Sequence, residues 1–316
     1  MSAVETKQGG KKGFGGLFVI IPIFIILVAV MLFFLQRESG KSTIEFEHLH
    51  GMAFTPNGDL YLPVHDGVAV YEKNGWKHLA GDKNDYMGFS MVDDGFYSSG
   101  HPGEGSKLAN PLGLVKVTNS GKKISTLGLA GETDFHLMAA SYYSHGIYVV
   151  NPEKNSKMNA PGLYYTLDDG KSWTKAQAKG LQGKVTAVAV DPKKKNVVAI
   201  GTGLGVFYST DSGKTFKNIF PDENVTALSF GFGGELLAGT FAEKSKMLRI
   251  DPNNPGSNLT IELSSVEQDP ISYIAQNPKD SKQLVVSTMK NDIFSTNNFG
   301  QNWTILAKGG KGLGGK

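Results

Sequence analysis

The residues of this chain best suited to chemistry are histidines and carboxylates that flank short apolar segments. All seven histidines lie in the first half of the 316 residues, and two aspartates stand next to or near two of them. Imidazole titrates near neutral pH, binds metals and exchanges protons with an adjacent carboxylate. The predicted ligand-binding residues are His48, His50, His65, Asp66, His101 and His136. The catalytic candidates are Asp66, Asp134 and His101.

The same histidines have two interpretations, one of which is a metal site. His48 and His50 are two residues apart, so on a strand their side chains project to the same side. In the first interpretation the imidazoles converge on a divalent metal, whose ligands would be His48, His50, His101 and His136. In the second, each histidine is hydrogen-bonded to a local partner of its own. The sequence requires no other cofactor, and without cysteine it has neither thiolate metal sites nor disulfides.

Other catalytic signatures are absent or incomplete. The chain has no serine nucleophile elbow, no phosphate-binding loop and no HExxH motif. A glycoside hydrolase needs two carboxylates about 5–9.5 Å apart, and the sequence does not indicate which two could meet. The acidic candidates are Asp66, Asp85, Glu104, Asp134, Glu223 and Asp269. The sequence therefore leaves open whether the protein is an enzyme.

A short phrase that occurs three times indicates the scaffold that positions these residues. Its pattern is Ser/Thr-x-Asp/Asn-x-Gly-x-x-aromatic. The defining residues are Thr166, Asp168, Gly170 and Trp173, then Ser209, Asp211, Gly213 and Phe216, then Thr296, Asn298, Gly300 and Trp303. Weaker copies have glycines at 75, 121 and 256, so the six glycines are 46, 49, 43, 43 and 44 residues apart. A period in the forties, in a chain of short strands, is typical of a β-propeller.

Each repeat contains four strand-like segments, of which the inner ones are nearly all apolar. The repeats predict an all-β fold, a six-bladed propeller of four-stranded blades over residues 42–308. Residues 44–47 are a candidate outer strand for the last blade. The phrase would form the turn between the third and fourth strands, where its Asp or Asn oxygen accepts backbone N–H groups and glycine takes a positive φ. The histidine loops then lie at the opposite end, in blades one to three.

These copies resemble Asp boxes, the bacterial-neuraminidase (BNR) repeat of sialidases, other glycoside hydrolases, sortilin-type receptors and photosystem assembly factors. With its N-terminal apolar segment and its HGMAF and SSGHP sequences, the chain resembles bacterial membrane-anchored proteins classed as glycosyl hydrolases. The resemblance implies a propeller whose repeated turns are structural. It does not extend to a sialidase mechanism, which clamps a carboxylate with three arginines, because this chain has only Arg37 and Arg249.

An uncharged apolar segment, residues 17–35, precedes the repeats. As a helix its 19 residues would span about 29 Å, close to the thickness of a bilayer's hydrocarbon core. No small-residue cleavage site follows, so we expect an uncleaved transmembrane helix in contact with the lipid bilayer. The lysines before it favour a cytoplasmic N-terminus. The predicted order is a cytoplasmic N-terminus 1–16, anchor 17–35, linker 36–41, propeller 42–308 and disordered tail 309–316.

Composition and candidate site together predict a binding protein at the cell membrane, with an extracytoplasmic propeller. Three lysines and one glutamate precede residue 36, which leaves 29 Lys and Arg against 28 Asp and Glu. This balance argues against a nucleic-acid surface. The first hypothesis is a membrane-tethered propeller that binds a cell-surface carbohydrate or protein on the face formed by blades one to three. The alternatives are a glycosyl hydrolase other than a sialidase, and an assembly or scaffolding factor for a membrane complex.

Overall fold

Six antiparallel sheets form a ring in the described part of the chain. The computed structural model describes residues 44–73, 75–81, 83–118, 120–263, 266 and 268–314. Within each sheet the strands follow chain order, so every blade is a simple meander. The prediction of an all-β, six-bladed propeller with four-stranded blades is confirmed, and the last blade carries one additional short strand.

The strands have the following bounds, blade by blade. Blade one contains β1 (Ala53–Phe54), β2 (Leu60–Val64), β3 (Gly67–Glu72) and β4 (Gly75–His78). Blade two contains β5 (Asp85–Val92), β6 (Gly95–His101), β7 (Leu114–Thr118) and β8 (Lys123–Gly128). Blade three contains β9 (Met138–Ala140), β10 (Ile147–Asn151), β11 (Gly162–Thr166) and β12 (Thr174–Lys175). Blade four contains β13 (Val185–Val190), β14 (Val198–Thr202), β15 (Gly205–Ser209) and β16 (Lys217–Pro221). Blade five contains β17 (Val225–Phe230), β18 (Leu236–Phe241), β19 (Ser245–Ile250) and β20 (Leu259–Ile261). Blade six contains β21 (Ile271–Asn277), β22 (Asp280–Thr288), β23 (Ile293–Thr296), β24 (Thr304–Lys308) and β25 (Lys311–Gly312).

The hydrophobic core lies between the blades rather than at the centre of the ring. The second strands of blades one and four are buried at every position, which is why their sequences do not alternate between apolar and polar residues. One hydrophobic cluster fills each junction of neighbouring blades, including the junction of blade six with blade one. Because packing between blades supplies the core, the loops at the two ends of the ring are left available to carry a site.

The repeated phrase forms the turn between the third and fourth strands in blades three, four and six. In the first copy, Oδ1 of Asp168 accepts hydrogen bonds from the Thr166 hydroxyl at 2.7 Å and from the Ser172 N–H at 3.0 Å. The Thr166 oxygen accepts the N–H of Gly170, where φ is +76°. The other two copies make the corresponding contacts through Asp211 and Asn298. The polar groups of the phrase are thus used within their own turns.

The ring closes through both ends of the described chain. Strand β25 pairs with β24 on one side and with the segment 44–46 on the other, where the N–H of Gly312 donates to the carbonyl of Ile44 at 2.8 Å. The indole N–H of Trp76 in blade one donates to the carbonyl of Leu306 in blade six at 3.1 Å. The outer strand expected at residues 44–47 therefore joins the last blade, but through β25 rather than through β24.

The prediction of a disordered tail over residues 309–316 is wrong for residues 309–314. Gly309 and Gly310 adopt positive φ values of 53° and 77° and form the two-residue turn between β24 and β25. Glycine adopts this conformation without steric cost, so a glycine-rich sequence with the composition of a flexible tail folds back as a hairpin.

The predicted cytoplasmic segment 1–16, the anchor 17–35 and the linker 36–41 lie outside the described residues. Within the ranges that the structure describes, no helix is long and apolar enough to cross a membrane. The membrane anchor therefore stays a prediction from the sequence.

Candidate functional site

Seven ionisable side chains from blades one to three gather at one end of the propeller. They lie on segments that lead into an inner strand or on the ends of second strands, and the antiparallel order of the blades brings both to the same end. We call this set the histidine mouth. Its members are His48, His50, His65, Asp85, His101, Asp134 and His136. All five histidines that the sequence suggested for one face are among them.

Asp85, the first residue of β5, contacts two histidines of blade one. Its Oδ2 atom lies 3.0 Å from Nδ1 of His65, and its Oδ1 atom lies 3.2 Å from Nε2 of His50. The ring of His65 packs edge-on against the rings of His50 and His48, with centroids 4.9 and 5.1 Å apart. Two imidazoles of blade one therefore contact a carboxylate that blade two contributes, and the third, His48, packs against one of them.

His50 is the most enclosed imidazole of the mouth, with 12% of its side chain exposed. Burial lowers its pKa below the ordinary value; Asp85 opposes this effect, and the neighbouring imidazoles of His65, His48 and His136 add to it. At neutral pH His50 is therefore uncharged, and one of its ring nitrogens carries a free lone pair.

Asp134 forms a second unit with histidines of blades two and three. Its Oδ2 atom lies 3.0 Å from Nε2 of His136 and 3.4 Å from Nε2 of His101. The other ring nitrogen of His101 lies 2.7 Å from Oδ1 of Asn110, a residue of the long loop that follows β6. The loop thus fixes the orientation of the His101 ring, and Asp134 joins that ring to His136.

The pairing of β5 with β6 fixes the position of Asp85 and its histidines relative to His101 and Asp134. Asp85 and His101 are directly opposite across β5 and β6. Gly100 precedes His101 with φ at +114°, and a Cβ atom at this position would lie 2.0 Å from the carbonyl oxygen of Asp85. Only glycine permits this approach. The SSGHP sequence therefore supplies a close backbone contact as well as an imidazole.

Asp66 is not part of the histidine mouth, in contrast to the prediction. It lies in the turn between β2 and β3 with 56% of its side chain exposed, and its nearest cation is Nζ of Lys83 at 4.0 Å. Both His65 and Asp66 lie in this turn, and it directs His65 toward Asp85 and Asp66 toward solvent. Sequence reasoning missed Asp85 as the partner of these histidines. Asp85 lies 20 residues from His65 in the sequence, and the packing of blade two against blade one brings the two together, so no local sequence signal identifies it.

Two long loops, one between β6 and β7 and one between β10 and β11, are both held in place. In the first, Asn110 bonds His101, as described above. In the second, the N–H and hydroxyl of Ser156 donate to the carboxylate of Glu132 at 2.7 and 2.8 Å, and Met158 is completely buried between the blades. The second loop is thus anchored in the core between blades two and three.

A central channel of about 420 Å³ lies behind the mouth. The inner strands of all six blades line it, together with His48, His50 and His136. Met289, in the corresponding loop of blade six, also lines it and is 59% exposed. Away from the mouth, the rings of Tyr142 and Phe232 meet edge to face with centroids 4.9 Å apart. The two ends of the channel thus differ: one is lined by imidazoles, and the other is aromatic.

Aromatic side chains that could stack on a sugar ring are not part of the mouth. Among the described residues, Tyr143 is the one strongly exposed aromatic side chain, and it packs against Tyr142 at the aromatic end. Tyr86 is buried and packs against Phe96 in the core.

A second group of ionisable residues lies on turns at the end of the blades opposite the mouth. Nε2 of His145 is 2.7 Å from Asp93 and 3.9 Å from Asp94. Nζ of Lys116 is 2.8 Å from Asp94 and offsets its charge. Roughly half of each aspartate side chain is exposed, so water solvates this group more fully than it solvates Asp85 or Asp134.

Comparison with known proteins identifies the fold. No family model matches the chain, and no curated protein matches it. Among solved structures, the GH74 xyloglucanase from Xanthomonas campestris is similar at 15% identity and a TM-score of 0.53, over 84% of this chain and 46% of that chain. YCF48 bound to D1 peptide is similar at 14% identity and a TM-score of 0.51, over 84% of this chain and 83% of that chain.

A chain of the nidogen/laminin complex is also similar, at 14% identity and a TM-score of 0.52, over 81% of this chain and 89% of that chain. The chain spans less than half the length of the xyloglucanase but most of the length of the other two structures. At these identities the likeness extends to the β-propeller fold, which glycoside hydrolases and protein-binding propellers share.

Proposed function

We propose that this chain is a binding propeller that holds a segment of another protein at its histidine mouth. The observation that carries the proposal is the convergence of five imidazoles and two carboxylates from three blades at one end of the channel. Binding sites of folded proteins are typically concave and contain a few convergent polar groups. The mouth has this character, whereas the opposite end is lined by packed aromatic rings.

Binding fits the geometry better than glycoside hydrolysis does. Hydrolysis needs one carboxylic acid to donate a proton and a second carboxylate to act as a nucleophile or base. The two carboxylates of the mouth, Asp85 and Asp134, each contact two imidazoles instead. The xyloglucanase, moreover, is more than twice as long as the part that matches this chain.

The exposed side chains of the histidine mouth suit a protein ligand better than a carbohydrate. Sugar rings are commonly held by exposed aromatic faces, whereas the exposed side chains of the mouth are imidazoles and Met289. Imidazole donates and accepts hydrogen bonds and pairs with acidic side chains, and methionine adapts to varied apolar surfaces. YCF48, which is similar over most of both chains, is a propeller bound to a peptide.

The same proposal includes a membrane tether. Residues 17–35 would anchor the chain in the cell membrane, with residues 1–16 in the cytoplasm and the propeller outside. The bound partner would then be an extracytoplasmic protein or a membrane complex that the propeller helps to assemble. Alkaline extraction of membranes tests the tether: full-length chain should stay in the pellet, and a chain lacking residues 17–35 should be released.

Site-specific photo-crosslinking in intact cells tests the binding face. A photoreactive amino acid replaces either Met289 at the mouth or Tyr143 at the aromatic end, both of which are exposed. We expect one dominant protein adduct from position 289 and none of that mass from position 143. Replacing His101 and His136 together by alanine should abolish the adduct, because both contribute to the mouth without belonging to the core.

Two outcomes would contradict the proposal. Equal adducts from both positions, or an adduct that persists in the double histidine variant, would mean that the mouth does not bind the partner. Release of reducing sugar from cell-surface glycans by the purified full-length chain would favour the glycosyl hydrolase alternative instead, provided that Asp134→Asn abolishes it.

A further inference from the structure

One half of the histidine mouth has the donor geometry of a metal site. One ring nitrogen of His50, one ring nitrogen of His65 and one carboxylate oxygen of Asp85 all lie within 4.8 Å of one another. Nδ1 of His65 lies 3.0 Å from Oδ2 of Asp85, and Nε2 of His50 lies 3.2 Å from the other carboxylate oxygen, Oδ1. Both distances are close to the separation of about 3.3 Å between tetrahedral ligands held about 2.0–2.1 Å from a zinc ion. Three donors from two blades therefore surround a point at which a cation fits.

Two of these donor atoms have no hydrogen-bond partner. Nε2 of His50 and Oδ1 of Asp85 are both buried, and although they are 3.2 Å apart they do not form a hydrogen bond with each other. Buried polar atoms are nearly always satisfied, because leaving one unsatisfied costs about 1–3 kcal/mol. A cation bound between these atoms would satisfy both at once.

The donor set restricts the kind of metal. Two imidazoles and one carboxylate suit zinc and other divalent ions of the later first transition series, whereas calcium and magnesium prefer oxygen ligands alone. His48, whose ring contacts His65, adds a further imidazole beside the three donors. His65 is half exposed, so an ion has a path from solvent.

We propose that His50, His65 and Asp85 bind one divalent transition-metal ion, with zinc as the best fit, at the mouth of the channel. Three protein ligands leave a coordination position for a water molecule or for a donor atom of a bound partner, as in open zinc sites. This metal site goes beyond the proposed function and does not depend on the identity of the partner.

The ligand set differs from the one that the sequence suggested. The sequence suggests His48, His50, His101 and His136 as metal ligands, but in the structure His101 and His136 contact Asp134. In the described residues one other group of three donors converges to the same degree, namely Asp93, Asp94 and His145. Lys116 already pairs with Asp94 in that group, so His145 provides a matched control from the same chain.

Zinc binding to the purified protein tests the proposal. The full-length chain is prepared in detergent with an affinity tag that contains no histidine, stripped with a chelator and titrated with Zn²⁺ in competition with a chromophoric chelator. We expect about one zinc per chain for the wild type and for His145→Ala. His65→Ala and Asp85→Asn should weaken zinc binding by more than the roughly 10–100-fold that loss of an outer-shell partner costs, because each removes a direct ligand.

Substitution with Co²⁺ provides a second readout. If His65 only supported the fold and did not bind the metal, its replacement would leave the cobalt spectrum unchanged. A four-coordinate site should give visible absorption bands in the wild type and in His145→Ala, and these bands should be absent from His65→Ala. Circular dichroism of the metal-free proteins establishes that the variants are folded. Equal zinc affinity in the wild type and His65→Ala, or no zinc retained by the wild type, would overturn the proposal. Neither result depends on the crosslinking experiment, so the metal site and the binding function fail separately.

Discussion

Gly100→Ala should destabilise the propeller through one close backbone contact. A Cβ atom at this position would lie 2.0 Å from the carbonyl oxygen of Asp85 and 2.8 Å from the amide nitrogen of Met87. Neither is a flexible side chain, so strands β5 and β6 must move apart. A left-handed backbone costs a non-glycine residue about 1–2 kcal/mol. Overpacking costs about 1–3 kcal/mol more, so we expect a total loss of about 2–5 kcal/mol.

Gly105→Ala is the matched control, because it lies in the loop that follows the same strand. Its φ is +78°, but an added Cβ would have no heavy atom within 4 Å. It should therefore cost only the backbone term, about 1–2 kcal/mol. In a domain of this size, about 1 kcal/mol lowers Tm by roughly 2–4 °C. Thermal unfolding followed by circular dichroism should place Gly100→Ala well below Gly105→Ala.

The same pair of variants tests whether the contact positions the site. Moving the Asp85 backbone should also weaken zinc binding in Gly100→Ala and leave it unchanged in Gly105→Ala. Equal Tm values for the two variants would refute the reasoning, because the contact with Asp85 would then contribute nothing beyond the strain of a positive φ.

Three further predictions concern ring closure and the repeated turns. Trp76→Phe should cost about 0.5–1.5 kcal/mol because it removes a buried hydrogen bond to the Leu306 carbonyl, which keeps the N–H of Leu313 as its second donor, whereas Trp303→Phe, which loses a bond at the surface, should cost less; urea unfolding compares them. Deleting residues 309–316 removes β25 and its hydrogen bonds to residues 44–46. The urea midpoint of the truncated protein should therefore fall by more than that of Trp303→Phe, and an unchanged midpoint would mean that β25 does not close the ring. Hydrogen bonds from the backbone and hydroxyl of Thr215 lower the pKa of Asp211 to about 2, below the value of about 3.9 in the unfolded chain. The ionised carboxylate therefore stabilises the fold above about pH 4, and this contribution is lost as the pH falls toward 2. Asp211→Asn should flatten the decline of Tm between pH 4 and pH 2, and an unchanged slope would exclude this carboxylate as a cause.

The sequence alone was sufficient to predict the architecture, because a propeller is built from local and periodic interactions. Each blade is a meander of consecutive strands, and each strong copy of the phrase satisfies its own turn within seven residues, as Thr166, Asp168 and Ser172 illustrate. The spacing of the glycines therefore gave the number of blades without knowledge of any contact between blades. The same reasoning failed at residues 309–314, because glycine is equally common in flexible tails and in tight turns.

The candidate site could be predicted only in part. Its five histidines could be assigned to one end of the propeller from strand order alone. Of their two carboxylate partners, Asp134 was among the candidates but Asp85 could not be assigned to them, because Asp66 adjoins His65 in sequence, whereas Asp85, 20 residues away, is the one that contacts it. That choice depends on how the β5–β6 pair faces blade one across the interface and on the absence of a side chain at Gly100. The sequence thus determined the blades and the face, whereas the packing of one blade against the next decided which donors meet, because that geometry involves residues far apart in the chain.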